Sequence, residues 1–141
     1  MSRIFLDTNF LVYSYDNDSP LKQRRAQELL DRFVQGTAGT AVISTQVLQE
    51  LYNSLMKRLH NSPAQAKERL LEWTEIDIVG ISRAIVLAAA DLHASDAISF
   101  WDALIVAAAK SAGCDELWTE DLQDGRLFGA LKVRNPFAGM S

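Results

Sequence analysis

Short apolar runs alternate along this chain with longer segments whose apolar residues recur at helical spacing. The short runs predict four strands, at residues 4–6, 41–43, 76–79 and 117–118, or five if residues 131–133 are included. Alternation of strands with helices is typical of a mostly parallel sheet that is covered by helices on both faces. The pattern therefore predicts an α/β fold, a three-layer sandwich with a mostly parallel central sheet of four or five strands.

Serine residues stand where the predicted helices begin. Ser19 and Ser62 each precede a proline, and Gln65 follows Ser62 at the spacing of a capping box. The predicted helices cover residues 10–15, 21–35, 45–61, a segment from 63, 82–95 and 99–112. Two of their apolar segments, 84–90 and 103–109, are alike in sequence. Shared burial of small residues is the simplest explanation, so we expect both helices to lie in the core.

The composition is that of an ordinary globular protein, with 48% hydrophobic and 23% charged residues. At 141 residues, the sequence predicts one domain over residues 1–141. Cys114 has no internal disulfide partner, which suits a reducing compartment. We expect a cytoplasmic protein without membrane association, because no apolar run is long enough to cross a bilayer or to form a signal peptide. A net charge of −4 argues against general nucleic-acid coating, although not against local binding.

Four acidic residues stand at positions that favour chemistry. Asp7 follows the first strand, and Glu50 lies in the helix after the second strand. Asp102 lies in the first turn of the helix that Ser99 begins, and Asp121 follows the fourth strand. Strand ends and the starts of the following helices share one edge of a parallel sheet. The four carboxylates are therefore expected to converge there.

Each acid also has a simpler interpretation. Asp7 or Thr8 can cap the following helix, and Asp121 can be an ordinary loop acid. Glu50 lies away from the apolar face of its helix, which suits either a solvent-facing acid or a wet cleft. Asp102 can complete a capping box with Ser99.

Asp102 carries the most weight among the four acids. Its helix is apolar nearly all round, including Phe100 and Trp101, and such a helix is expected to be buried. A charge that enters the core must be paired or bound to metal. Grouped carboxylates favour a hard divalent cation such as Mg²⁺. His60 and His93 do not form a competing ligand set, and no motif for a serine hydrolase, a P-loop or a dinucleotide site is present.

With these acids in place, the sequence resembles the PIN-domain nucleases, specifically the VapC-like toxins of toxin–antitoxin pairs. Four stretches carry the resemblance in the order of the family: FLDTN at 5–9, STQVLQE at 44–50, SFWDALIVAAA at 99–109 and LWTEDL at 117–122. Each motif alone is loose, whereas four in register span most of the chain.

The resemblance implies a ribonuclease that depends on Mg²⁺ or Mn²⁺ and leaves a 5′-phosphate and a 3′-hydroxyl. The implied catalytic and metal-binding acids are Asp7, Glu50, Asp102 and Asp121. Supporting polar residues would be Thr8, Asn9, Thr119 and Asp124. Glu120 departs from the family pattern, which often has a basic or neutral residue there, and this bears on how RNA approaches. The implied partners are an RNA substrate, a cognate antitoxin and a second copy of the chain in a homodimer. Segments 21–33 and 51–59 place apolar residues beside basic ones and suit either partner surfaces or core faces.

Two other interpretations stay open at this point. Haloacid-dehalogenase-like phosphatases also begin from an Asp after the first strand, but Asn9 stands where their second Asp would be and their downstream Lys is missing. A non-catalytic PIN-like binding module would fit the acidic net charge. Retention of all four acids argues against that module.

Overall fold

The computed structural model describes residues 2–140 as an α/β structure in three layers, with helices on both sides of one sheet. The strands are β1 (Arg3–Leu6), β2 (Thr40–Ser44), β3 (Asp77–Val79), β4 (Glu116–Trp118), β5 (Leu127–Phe128) and β6 (Leu131–Arg134). The helices are α1 (Thr8–Tyr13), α2 (Pro20–Val34), α3 (Thr45–Lys57), α4 (Pro63–Leu71), α5 (Arg83–Asp96) and α6 (Phe100–Ser111). The predicted fold class is confirmed.

The sheet has six strands in the order β3-β2-β1-β4-β6-β5, rather than the four or five predicted. The first five in this order pair in parallel, and β5 pairs antiparallel with β6. The missed strand, β5, has two residues, and its Leu127 is largely exposed. Two residues are too few to show an apolar pattern in the sequence. Only the pairing with β6 identifies this strand.

The direction of the crossovers separates the helices into two layers. From β1 through β2 to β3 the chain moves steadily towards one edge, and α1–α4 make these connections. It then returns across the sheet to β4 through α5 and α6. Because parallel crossovers are right-handed, the reversal of direction puts α5 and α6 on the opposite face. The strand order therefore reverses between β1 and β4, where open α/β sheets form their ligand crevice.

The core lies on both faces of the central strands. Phe5, Leu6, Val42, Ile43 and Leu117 are fully buried. The apolar residues of segments 21–33 and 51–59 contribute to this core through Ala26, Leu29, Leu51 and Leu55. Those side chains thus form core faces in this chain.

The two alike apolar segments differ in burial. Every residue from 103 to 109 in α6 is buried, whereas α5 buries Ile85 and Ala89 and leaves Leu87 57% exposed. The expectation that both helices lie in the core is wrong for α5. The reason is position, because α6 contacts β2 and β4 while α5 packs on α6. Within residues 2–140 no single helix is long and apolar enough to span a membrane. Only α5 and α6 together, which are bent by 120° at the break between them, have the length and apolar composition of such a span.

Candidate active site

Asp7 lies at the point where the strand order reverses. Its backbone N–H donates to the Trp118 carbonyl at 3.1 Å, which ties the end of β1 to the end of β4. One carboxylate oxygen accepts from the Thr8 N–H at 2.7 Å and caps α1. The other accepts from the Thr119 hydroxyl at 2.7 Å. The same side chain therefore caps α1 and contributes a carboxylate to the candidate site, and it is only 6% exposed.

Two threonines connect Asp7 to the other acids. The buried Thr119 hydroxyl, besides donating to Asp7, accepts from the Asp121 N–H at 3.1 Å. The Thr8 hydroxyl donates to a Glu50 carboxylate oxygen at 3.1 Å. These bonds fix the loop after β4 and the second turn of α3 relative to the end of β1.

The serine caps set where Glu50 and Asp102 lie along their helices. The Ser44 hydroxyl accepts from the Val47 N–H at 3.3 Å and starts α3. The Ser99 hydroxyl accepts from the Asp102 N–H at 3.0 Å and starts α6. In the described part of the chain, the reciprocal bond of a capping box, from the Ser99 N–H to the Asp102 carboxylate, is not formed. The Asp102 carboxylate is therefore free to face a cleft.

That cleft has a volume of about 130 Å³ and contains all four predicted acids. Asp7, Glu50, Asp102 and Asp121 line it together with Thr8 and Asn9. Four residues that the sequence did not single out also line it: Gln46, Ser54, Trp101 and Ile105. Helical spacing offered a signal for the first two, because they lie four residues before and after Glu50 and so share its face. Trp101 was expected to be buried with its helix and is instead 66% exposed, which corrects that expectation.

Gln46 contributes an unpaired oxygen to the cleft. Its amide nitrogen donates to the Trp101 carbonyl at 3.3 Å, and this acceptor fixes the orientation of the amide. Within residues 2–140 the amide oxygen Oε1 is buried without a hydrogen-bond partner, and the residue is 6% exposed. Buried polar atoms in native proteins are nearly always satisfied, so this acceptor would gain from a hydrogen-bond donor or a cation.

Asp7, Glu50 and Asp121 hold their protons more tightly than usual, because the pKa of each is raised. Burial, opposed by hydrogen bonds from Thr119 and Thr8, raises the pKa of Asp7 to about 7, and the charges of Asp121 and Glu50 add to the rise. Burial also raises the pKa of Glu50, with a contribution from the negative charge of Asp102. The pKa of Asp121 is raised by burial and then by Asp102 and Glu120. The cleft is thus a place where negative charge is costly and a cation is favoured.

The donor chemistry of the cleft fits a hard cation, although the side chains are not drawn together. Every polar side-chain donor atom of the four acids, and Gln46 Oε1, is an oxygen, the ligand type that Mg²⁺ and Mn²⁺ prefer. Among residues 2–140, no three His, Cys, Asp or Glu side chains are grouped closely enough to hold a metal ion where they stand. Glu50 and Asp121 are solvent-accessible, so they can rotate inward without disturbing the core.

Two acids near the cleft belong elsewhere. Asp124 accepts from the Asn135 N–H at 3.0 Å and lines a different depression, so the structure does not bring it to the other acids. Glu120 faces away from the cleft, where it accepts from the Tyr13 hydroxyl and pairs with Lys22 at 3.0 Å. Its charge is compensated there.

The fold and this acidic cleft define an α/β protein of the PIN class. The PIN domain family model matches residues 4–124, and the chain belongs to this family. The resemblance drawn from the four motifs is thereby confirmed. No curated protein sequence matches the chain.

Solved structures of VapC toxins and their complexes share the fold. A toxin–antitoxin complex from Klebsiella pneumoniae aligns with a TM-score of 0.71 and 22% identity, covering 95% of this chain and 98% of that one. VapBC from Salmonella typhimurium, solved bound to DNA, aligns with a TM-score of 0.69 and 19% identity, and the alignment covers 96% of this chain and 99% of that one. VapC20 from Mycobacterium tuberculosis, a toxin that cleaves the sarcin–ricin loop, aligns with a TM-score of 0.66 and 18% identity. That alignment covers 84% of this chain and 91% of VapC20.

Proposed function

We propose that this chain is a metal-dependent endoribonuclease and the toxin of a toxin–antitoxin pair. The observation that carries the proposal is the cleft at the β1/β4 switch point, where four carboxylates from distant parts of the chain meet. Membership of the PIN family supports a nuclease. RNA is proposed as the substrate because VapC20, one of the structurally similar proteins, cleaves the sarcin–ricin loop.

Asp7, Glu50, Asp102 and Asp121 would hold Mg²⁺ or Mn²⁺, with Gln46 Oε1 as a neutral acceptor beside them. A bound ion of this kind supplies an activated water and stabilises negative charge on the phosphate. The cleavage would then leave a 5′-phosphate and a 3′-hydroxyl.

The residues around the acids prepare the site before any ligand binds. Thr8 and Thr119 together fix Asp7 from both carboxylate oxygens, and Thr8 also orients Glu50. Because the Thr119 hydroxyl also accepts from the Asp121 N–H, the start of the loop after β4 is hydrogen-bonded to Asp7 through this one side chain. Such preorganisation lowers the cost of positioning a scissile phosphate.

The test is cleavage of total cellular RNA by the purified chain, with the antitoxin removed. We expect discrete cuts with 5′-phosphate ends in Mn²⁺ or Mg²⁺, abolished by chelator. Asp102→Asn should reduce the cleavage rate by at least about 100-fold, since it removes a carboxylate that would contact the metal directly. Asp124→Asn, outside the cleft, should cleave like the wild type.

Three results would decide against this proposal or change it. Cuts that survive in Asp102→Asn would point to a contaminating nuclease. Mn²⁺ binding by folded protein without any cleavage would favour the non-catalytic binding module. Release of phosphate from a small phosphomonoester would favour the phosphatase interpretation.

The proposed partner is a cognate antitoxin, because two of the structurally similar entities are toxin–antitoxin assemblies. Co-expression with a candidate antitoxin, followed by co-purification and loss of RNA cleavage, tests this partner. The expected homodimer stays a prediction, and sedimentation velocity of the chain alone measures it.

A further inference from the structure

Trp101 is a large aromatic side chain in the wall of the acidic cleft, directly before Asp102, and it is 66% exposed. Exposure of single apolar residues is common and by itself indicates no function, and Leu21 and Leu87 are exposed to a similar degree. Trp101 differs from these in its location among the four acids. We propose that Trp101 stacks against one unpaired base of the RNA substrate, next to the phosphate that the acids address. This inference rests on the proposed function and names a substrate-contacting residue for it.

The ring has an open surface for stacking. With 66% of the residue exposed, the indole cannot have both faces covered. Phe100 packs against it with the ring centroids 5.6 Å apart and the planes at 71°, which supports one part of the ring without enclosing it. A flat, half-supported aromatic surface is the arrangement on which proteins stack splayed-out RNA bases.

The backbone beneath the ring is fixed relative to the acids. The Gln46 amide donates to the Trp101 carbonyl and so ties the first turn of α6 to the helix that carries Glu50. Residues 103–109 immediately after it are buried, which anchors the rest of α6 in the core. A base on Trp101 would therefore have a defined position relative to Asp102 and Glu50. That position sets which phosphate reaches the carboxylates.

The charge of the protein explains why such a contact is needed. The net charge is −4 and the cleft is acidic, so attraction of RNA phosphates contributes little affinity before a cation binds. Arg58, which donates to Asn9 at 3.3 Å, is a cation beside a residue of the cleft wall. Stacking on a neutral indole adds affinity that does not depend on salt, whereas a contact from Arg58 to phosphate does depend on it.

The experiment compares Trp101→Ala and Trp101→Phe with the wild type in steady-state cleavage of an RNA that the wild type cuts. Base–aromatic contacts of this kind predict a KM roughly 5- to 150-fold higher for Trp101→Ala, with most of the affinity recovered in Trp101→Phe. Leu87→Ala is the matched control, because it removes a side chain of similar exposure outside the cleft and should leave KM unchanged. The ratio of KM between Trp101→Ala and wild type should be the same at low and physiological salt.

A binding measurement separates this inference from the proposed function. In an Asp102→Asn background with Mn²⁺, a short oligoadenylate should quench tryptophan fluorescence, and the quenching should disappear in Trp101→Phe although Trp73 and Trp118 remain. If the wild type cleaves RNA while Trp101→Ala, folded by circular dichroism, keeps its KM, the stacking role is overturned and the nuclease proposal stands. If Trp101→Ala changes only the oligomeric state, Trp101 belongs to a protein interface instead. If the wild type does not cleave RNA and the Asp102→Asn protein shows no quenching, both proposals are overturned.

Discussion

At the scale of single residues, Asp7 shows how one side chain couples the fold to its chemistry. It caps α1, it is tied to Thr119, and it is almost completely buried. Its carboxyl group therefore loses contact with water on folding and accepts two hydrogen bonds. It also lies near the negative charges of Glu50 and Asp121. The net balance favours the protonated form.

This balance makes the stability of the metal-free chain depend on pH in a defined direction. The pKa of Asp7 rises from 3.8 to about 7, so between these values the folded chain binds more protons at this site than the unfolded chain. Ionisation of Asp7 therefore lowers the free energy of unfolding as pH rises, by up to roughly 4 kcal/mol above pH 7. Asp7→Asn, which mimics the protonated side chain, should gain stability over the wild type progressively through this range and differ little from it at pH 4.

Urea unfolding in chelator at a series of pH values measures the difference. Asp31→Asn, on the exposed surface of α2, is the control for removing a carboxylate without burial. A stability difference between Asp7→Asn and wild type that is constant over the whole pH range would contradict the expected titration.

At the scale of elements, α2 contacts the loop after β4 on the side of the loop that faces away from the cleft. Lys22 pairs with Glu120 at 3.0 Å, with the two side chains 16% and 20% exposed, and the Tyr13 hydroxyl donates to the same carboxylate. Glu120 stands between Thr119 and Asp121 in the chain. From the sequence, Glu120 was expected to bear on how RNA approaches the site. Its carboxylate is paired with Lys22 and does not face the cleft.

A double-mutant cycle on Lys22 and Glu120 tests this contact. Lys22→Met leaves a largely buried carboxylate with only Tyr13 and should cost about 1–3 kcal/mol of unfolding free energy, and adding Glu120→Gln should recover much of it. The matched cycle on the exposed pair Arg3–Asp77, at 2.9 Å with side chains 37% and 57% exposed, should give a coupling of only about 0.2–1 kcal/mol. Equal coupling energies in the two cycles would show that the Lys22 contact does not brace the loop.

The elements also show where sequence-based prediction succeeds and where it ends. Strand β1 follows from local rules, and the Ser62–Gln65 capping box forms as predicted. Ser19 stands at the start of α2 as expected, but its side chain makes no capping hydrogen bond. Residues 84–90 and 103–109 have the same composition, yet the latter are all buried, whereas the former bury only Ile85 and Ala89. Local composition cannot distinguish a helix packed on the sheet from one packed on that helix. The exposure of Trp101 was missed for the same reason, since it depends on what covers the first turn of α6.

At the scale of the whole molecule, the fold brings together acids that are up to 114 residues apart in the chain, Asp7 and Asp121. Their convergence was predictable because the ends of parallel strands share one edge. Helical spacing from Glu50 indicates the face on which Gln46 lies. The bond from Gln46 to the Trp101 carbonyl was not predictable, because it depends on how α3 packs beside the first turn of α6. Only the folded chain collects these oxygens, so a cation that binds them must stabilise the folded state.

Thermal melting with and without Mn²⁺ measures this coupling between site and fold. The wild type should melt at a higher temperature as Mn²⁺ is added, in proportion to the logarithm of its concentration once the site is saturated. Asp102→Asn removes a charge that raises the pKa of both Glu50 and Asp121. This variant should therefore melt higher than the wild type in chelator and gain less from Mn²⁺.

Asp124→Asn, which removes the same charge outside the cleft, should keep the full Mn²⁺ response, because its carboxylate oxygen accepts from Asn135 instead. An equal Mn²⁺ response in all three proteins would mean that the four carboxylates do not act as one cation site.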